Sequence, residues 1–290
     1  MKQTVITPVN FAEQFFQKDF RLIYHQTAGP FQQLVTEEQF IDIGESFNEE
    51  VSGYILEIHT KLDKNLTHYL WLDTNRSKAI SVTFDNEHTI HSIQLAPFQT
   101  HPETDKIYTK NEYIMPITDT WFVVWGGTNQ FINYHYAYEA QRYAYDLVIK
   151  IDEQSYQGNP GNVKNYHAFG KDLIAPADGQ VIMVINDKKD HQIGDTDENQ
   201  PAGNCVVIAH DKNEYSMIAH MKQGSIIVNE GDVVKQGQMI GKCGNSGNTS
   251  EPHIHFQVMD HPNFLEGKSI RIRFNDHRDP VQGDYVSPVL

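Results

Sequence analysis

Glu251-Pro252-His253-Ile254-His255-Phe256-Gln257-Val258 is an apolar, β-prone run interrupted by two histidines. Alternate residues of a strand point to the same side, so His253 and His255 share a face. At that spacing one imidazole can hold a metal while the other stands beside the metal's open coordination position. Fifteen histidines in 290 residues make such pairs common by chance, so the neighbours of the run decide its meaning. Upstream, Ser216-Met217-Ile218-Ala219-His220-Met221 reads as a second apolar strand that ends in a histidine. A lone strand-end histidine is most often structural. Beside the pair, His220 becomes a third imidazole able to converge on one pocket. A catalytic zinc takes about three protein ligands and leaves a position for water. Imidazole nitrogen and carboxylate oxygen suit that dication, so a further histidine and an acid must come from elsewhere in the chain.

The rest of the chain sets limits. The formal charge of -15 leaves no basic surplus to neutralise phosphates, which argues against nucleic acid and against charge-driven binding to an anionic membrane. The first residues lack the apolar core of a signal peptide, and no stretch approaches the ~18 apolar residues of a membrane span. Cys205 and Cys243 form no zinc-knuckle spacing and sit in apolar surroundings, so they read as buried thiols.

Residues 1–98 read as an α+β unit. Phe11, Phe15, Phe16 and Ile23 suit one face of a first helix. Thr36-Glu37-Glu38-Gln39 is a capping box, with Val35 and Phe40 as its hydrophobic staple. The helix it opens carries Phe40, Ile43 and Phe47 on one face. Strand-like runs follow at 54–60, 67–73, 78–84 and 89–95, with Ile80, Val82 and Phe84 alternating. Helices before an antiparallel meander suggest a helix-on-sheet cone, similar in outline to nuclear-transport-factor-like or cystatin-like domains. A polar, turn-rich stretch at 97–105 marks the boundary. Residues 99–290 look all-β, with glycine-punctuated short strands and two polar surface loops, 153–165 and 186–201. A weak echo links the 175–181 and 230–238 stretches.

Read in order, Gly203-Asn204, Val206-Val207-Ile208-Ala209-His210, Ile218-Ala219-His220, the 231–241 glycine-bounded strand, Gly244-Asn245-Ser246-Gly247 and Pro252-His253-Ile254-His255-Phe256 resemble the lysostaphin/LytM-type zinc metallopeptidases. The resemblance covers roughly residues 130 to 275. It implies an antiparallel β metallopeptidase domain holding one zinc per chain and cutting peptide bonds in peptidoglycan stems or cross-bridges. It also implies that His255 binds zinc while His220 and His253 flank the water. A wall substrate would in turn imply a site outside the cytoplasm.

The family's remaining ligands normally come as His-x-x-x-Asp, which is absent from its usual position just ahead of Ala175-Pro176. Two pairs compete: His135 with Asp146, and His167 with Asp172. The first is preferred, because Asp146 opens a strongly apolar strand and Asn-x-His … Gln-Arg-aromatic-Ala-x-Asp looks like a variant branch of the family. A catalytically silent binding or regulatory module on the same scaffold is the alternative; a phosphotransfer carrier is a third reading. Weaker signals read as structure: the 237–243 glycines as turns, Asp195, Asp197 and Glu198 as a solvated loop, and Arg142 as an ion-pair partner. Most of the tyrosines at 134, 136, 138, 143 and 145 read as packing or rim residues. Neither the bond cut nor the oligomeric state is legible.

Overall fold

The computed structural model describes residues 5–289. The chain divides into two compact units between Gln99 and Thr100. In the first, four short helices, α1 (Phe11–Phe16), α2 (Phe20–His25), α3 (Gly29–Leu34) and α4 (Glu37–Phe47), precede four antiparallel strands. These are β1 (Tyr54–Lys61), β2 (Leu66–Asp73), β3 (Lys78–Asp85) and β4 (Ile90–Pro97), paired in sequence order. Phe11, Phe15, Phe20, Phe40, Trp71, Ile80, Val82 and Phe84 form the core between helices and sheet.

Two local expectations need correction. The helix expected to carry Phe11 through Ile23 is broken, because Lys18 takes a left-handed φ of 67°. The break resets the helical phase, so Phe11, Phe15, Phe20 and Ile23 all reach the core while Phe16 is exposed. In α4 the capping box forms as expected, with Thr36 accepting from the Gln39 amide and Gln39 accepting from the Thr36 amide. Its buried face, however, is Phe40 and Gly44 with Phe47 half-buried, and Ile43 is exposed. The cause is Gly44, where a Cβ would come within 2.7 Å of the Phe20 ring. The helix closes on Phe20 through that glycine and turns Ile43 outward.

The second unit is built on one antiparallel sheet. Its strands are β5 (Trp121–Trp125), β6 (Tyr145–Val148), β8 (Gly179–Ile185), β9 (Asn204–His210), β10 (Glu214–Met221), β11 (Val233–Val234), β13 (Ile254–Met259), β14 (Ser269–Ile270) and β15 (Tyr285–Val286). The spatial order is β11-β8-β9-β10-β13-β6-β5-β15, with β14 also on β13. β7 (Asp172–Ile174) and β12 (Met239–Lys242) form a separate two-stranded sheet. The echo segments pair with each other, Gly179 opposite Val234 and Gln180 opposite Val233. Val123, Leu147, Val206, Ile218, Ile254 and Phe256 pack in its core. Cys205 and Cys243 are buried free thiols. Among the described residues no helix is long and apolar enough to cross a membrane.

Candidate metal centre

The middle of the large sheet builds the site. On β13, His255 stands directly opposite Asp146 of β6, and on its other side opposite Ala219 of β10. Adjacent antiparallel strands therefore bring residues 146, 219 and 255 level, and His220 is the next residue along β10. His220 takes a left-handed φ of 60°, at the point where the β9–β10 register shifts. His253 immediately precedes β13. His135 arrives from outside the sheet, on a 3-10 turn over Tyr134–Ala137.

His135, Asp146 and His255 form one buried group whose ligand atoms lie within 4.8 Å of one another. Asp146 Oδ2 is 3.5 Å from His135 Nε2, and Oδ1 is 3.0 Å from His255 Nδ1. Both separations are close to the ~3.3 Å edge of a tetrahedron with bonds of about 2.0–2.1 Å. By contrast His167 and Asp172 are not part of this group. Asp172 sits on β7, ion-paired to Lys242 across the small sheet.

Hydrogen bonding settles which nitrogen of each ring is free. Asn133 Nδ2 faces three carbonyls, of Gly127, Arg142 and Ala144, at 3.1–3.3 Å. Carbonyls only accept, so Asn133 Oδ1 must be the atom 2.8 Å from His135 Nδ1, and that nitrogen carries the proton. His135 Nε2 is left as a lone pair, and it is a buried nitrogen with no hydrogen-bond partner. The same logic runs through Gln257. Its Nε2 donates to the Ala140 carbonyl at 3.1 Å, so its Oε1 accepts from His255 Nε2 at 2.9 Å. In the neutral ring His255 Nδ1 is then the lone pair facing the Asp146 carboxylate, although against burial the Asp146 hydrogen bond raises the His255 pKa.

Two imidazole nitrogens and a carboxylate thus converge at one buried point, an arrangement that a cation bridging all three would satisfy. The residues present therefore fit a zinc-type ion. Burial alone would raise the Asp146 pKa, but its coupling to the His135 and His253 rings and its hydrogen bond with His255 hold it far below the carboxylate range. Burial pushes His135 down to about 3, against the pull of Asp146.

The other two histidines are prepared differently. His220 Nδ1 donates to the Ser246 carbonyl at 2.9 Å, and His253 Nδ1 donates to the Glu251 carbonyl at 2.8 Å. In the neutral ring each bond of this kind places the lone pair on Nε2. The His253 Nε2 is 3.8 Å from Asp146 Oδ2, and the two rings lie 4.5 Å apart between centroids. Burial, followed by the neighbouring histidines, lowers His220 to about 3, so it is a neutral base at pH 7.

The glycine-punctuated segments explain how His220 is held. Gly203 has φ +58°, and a Cβ there would fall 2.4 Å from the Ser246 carbonyl carbon and oxygen. That close approach lets Ser246 Oγ accept from the Asn204 amide at 2.9 Å and donate to the Met221 carbonyl at 2.8 Å. Ser246 is thereby fixed where its own carbonyl meets His220.

Among the tyrosines, Tyr136 and Tyr143 bond Asp105, and Tyr145 is buried in the core. Tyr134 and Tyr138 are exposed beside the centre, the Tyr134 ring lying tilted at 34° against His135 with centroids 3.9 Å apart. Arg142 is structural, but through the Tyr136 carbonyl at 3.2 Å rather than the expected ion pair. Asn133 entered the sequence reading only as part of the Asn-x-His pattern, with no role of its own, and Gln257 carried no signal, since neutral amides are common everywhere. A polar residue two places beyond each histidine in the run, on the same strand face, is the pattern that could have pointed to Gln257.

Residues 163–270 match the model of peptidase family M23. That match lies wholly within the second unit. The matched span contains His220, His253 and His255, whereas His135 and Asp146 lie upstream of it. The chain is 32% identical over 115 residues to an uncharacterized metalloprotease of Buchnera aphidicola, covering 40% of this chain and 29% of that protein. It is 32% identical over 91 residues to the peptidoglycan DD-endopeptidase ShyA of Vibrio cholerae, covering 31% and 18%. It is 31% identical over 123 residues to the murein hydrolase activator NlpD of Escherichia coli, covering 42% and 27%. The alignments thus span less than a third of each relative's own length.

Proposed function

We propose that this chain is a zinc-dependent endopeptidase acting on peptide bonds of peptidoglycan stem peptides or cross-bridges. The observation that carries the reading is the buried convergence of His135 Nε2, His255 Nδ1 and the Asp146 carboxylate, with two unprotonated imidazole nitrogens beside it. A zinc held by those three residues would acidify water toward neutrality and polarise a scissile carbonyl. Of His220 and His253, one would take the proton of the attacking water on its Nε2 and, once protonated there, would hydrogen-bond the developing oxyanion and return that same proton to the leaving amine, while the Nε2 of the other would accept a hydrogen bond that orients the water. Their fixed Nδ1 bonds keep both Nε2 atoms aimed inward throughout. The peptidoglycan substrate rests on similarity to a DD-endopeptidase and carries with it a site outside the cytoplasm.

The murein hydrolase activator among the relatives supports a second reading, a catalytically silent module that regulates another hydrolase. The complete set of five side chains favours catalysis. Zinc-loaded protein incubated with purified peptidoglycan separates the two. Release of soluble peptides, lost on chelation and regained with zinc, is expected; a fully zinc-loaded chain that releases nothing would favour the silent module.

A further inference from the structure

Next to the centre lies a cleft of about 370 Å³ in which His220 and His255 are themselves wall residues. Met217 and Ala219 form part of its floor, Phe264 lines a side, and the exposed side chains of Tyr134, Tyr138 and Leu265 stand at its rim. None of its fourteen lining residues is an Asp, Glu, Lys or Arg. Its polar groups are amides, phenols and imidazoles, and both ends of the Gln257 amide are already engaged by His255 and Ala140. Charge lines a separate hollow instead. There Glu251, accepting from Ser155 Oγ at 2.6 Å, lines a small hollow with Asp146, His253 and Trp125.

We infer that the substrate seats an uncharged, apolar side chain in this cleft, next to the bond that is cut. The inference rests on the peptidase reading above and names the substrate class of that site. An ammonium placed here would leave water and find no carboxylate among the lining residues, and a carboxylate would find no lysine or arginine there. A glycine would leave Met217 and Phe264 facing unfilled space. An apolar side chain covers both, and the flexible thioether of Met217 can adapt to its shape. Exposed large apolar side chains gathered at the mouth of a cleft are the usual mark of a surface that is covered in use.

The test is an equimolar library of blocked peptides that differ only in the residues flanking a central bond. Leu, Met, Phe, Gly, Asp and Lys are each supplied in both L and D configurations. Cleavage by the zinc-loaded full-length chain is read by mass spectrometry. Peptides with an apolar flanking residue are expected to be cut at least tenfold faster than those with glycine or aspartate there, the scale at which an apolar pocket discriminates. Leu265→Lys, a change at an exposed rim position, is expected to narrow the gap between leucine and aspartate several-fold. Cleavage that is indifferent to the flanking residue, or that favours glycine or aspartate, overturns the cleft assignment while leaving the peptidase reading intact. A library left uncut by a chain carrying stoichiometric zinc overturns the peptidase reading, and the cleft assignment with it.

Discussion

Each histidine of the centre is held by one ring nitrogen so that the other is free, and the holding groups differ in kind. Amide oxygens of Asn133 and Gln257 hold His135 and His255, whereas backbone carbonyls hold His220 and His253. Gln257→Leu removes an oxygen that orients a ring, and about a 10–100-fold loss of zinc affinity is expected by chelator competition. Gln257→Glu keeps an acceptor toward His255 and is expected to lose less. Alanine at His253 is expected to leave zinc bound while turnover stops, and alanine at His255 to release zinc. Metal content and peptide release measured on the same preparations distinguish those outcomes. The run containing residues 253 and 255, together with residue 220, was readable because three histidines recur within short, apolar, strand-like segments. His135 and Asp146 were harder, since more than 100 residues separate them from their partner. Only the strand that Asp146 opens, and the resemblance, pointed to them. The supporting amides were not readable, because their role depends on which carbonyls the fold brings to them.

At the level of elements, the site depends on strands meeting in register and on one close backbone crossing. Gly203→Ala would drive a Cβ into the Ser246 backbone, in a left-handed conformation that also disfavours a side chain. Lower thermal stability is expected, with turnover reduced more than zinc content, because Ser246 positions His220 rather than a ligand. The end of β9 makes a separate prediction. His210 is clasped between the Asp178 carbonyl at 2.7 Å and Ser216 Oγ at 2.8 Å, and burial lowers its pKa. Its folded pKa is below the unfolded value of about 6.5, so on acidification the unfolded chain takes up the proton first. This contribution to stability is present above that pH and is lost as pH falls below it. His210→Gln is expected to flatten the fall in melting temperature between pH 7 and 5; an unchanged slope would remove His210 from the acid response. In the first unit, Thr36→Ala removes half of the capping box and is expected to cost about 1 kcal/mol in denaturant unfolding. The strands of that unit were legible from alternation. Its helix faces were less so, because Lys18 and Gly44 reset them through a backbone angle and a ring contact that periodicity does not carry.

On the scale of the whole molecule, the two cores share no residue: one runs from Ile6 to Leu95 and the other from Tyr113 to Val286. Residues 100–290 alone are therefore expected to fold and to bind zinc with the affinity of the full chain. The M23 match begins at residue 163, yet the group that fits a metal reaches back to His135 and Asp146. The central claim is that this upstream pair completes the centre, and zinc content tests it most directly. Wild-type chain, His135→Ala and His167→Ala are to be purified mildly, given equal zinc, desalted and assayed for metal. One zinc per chain is expected in the wild type and in His167→Ala, with little in His135→Ala. Zinc retained by His135→Ala and lost from His167→Ala would contradict the account.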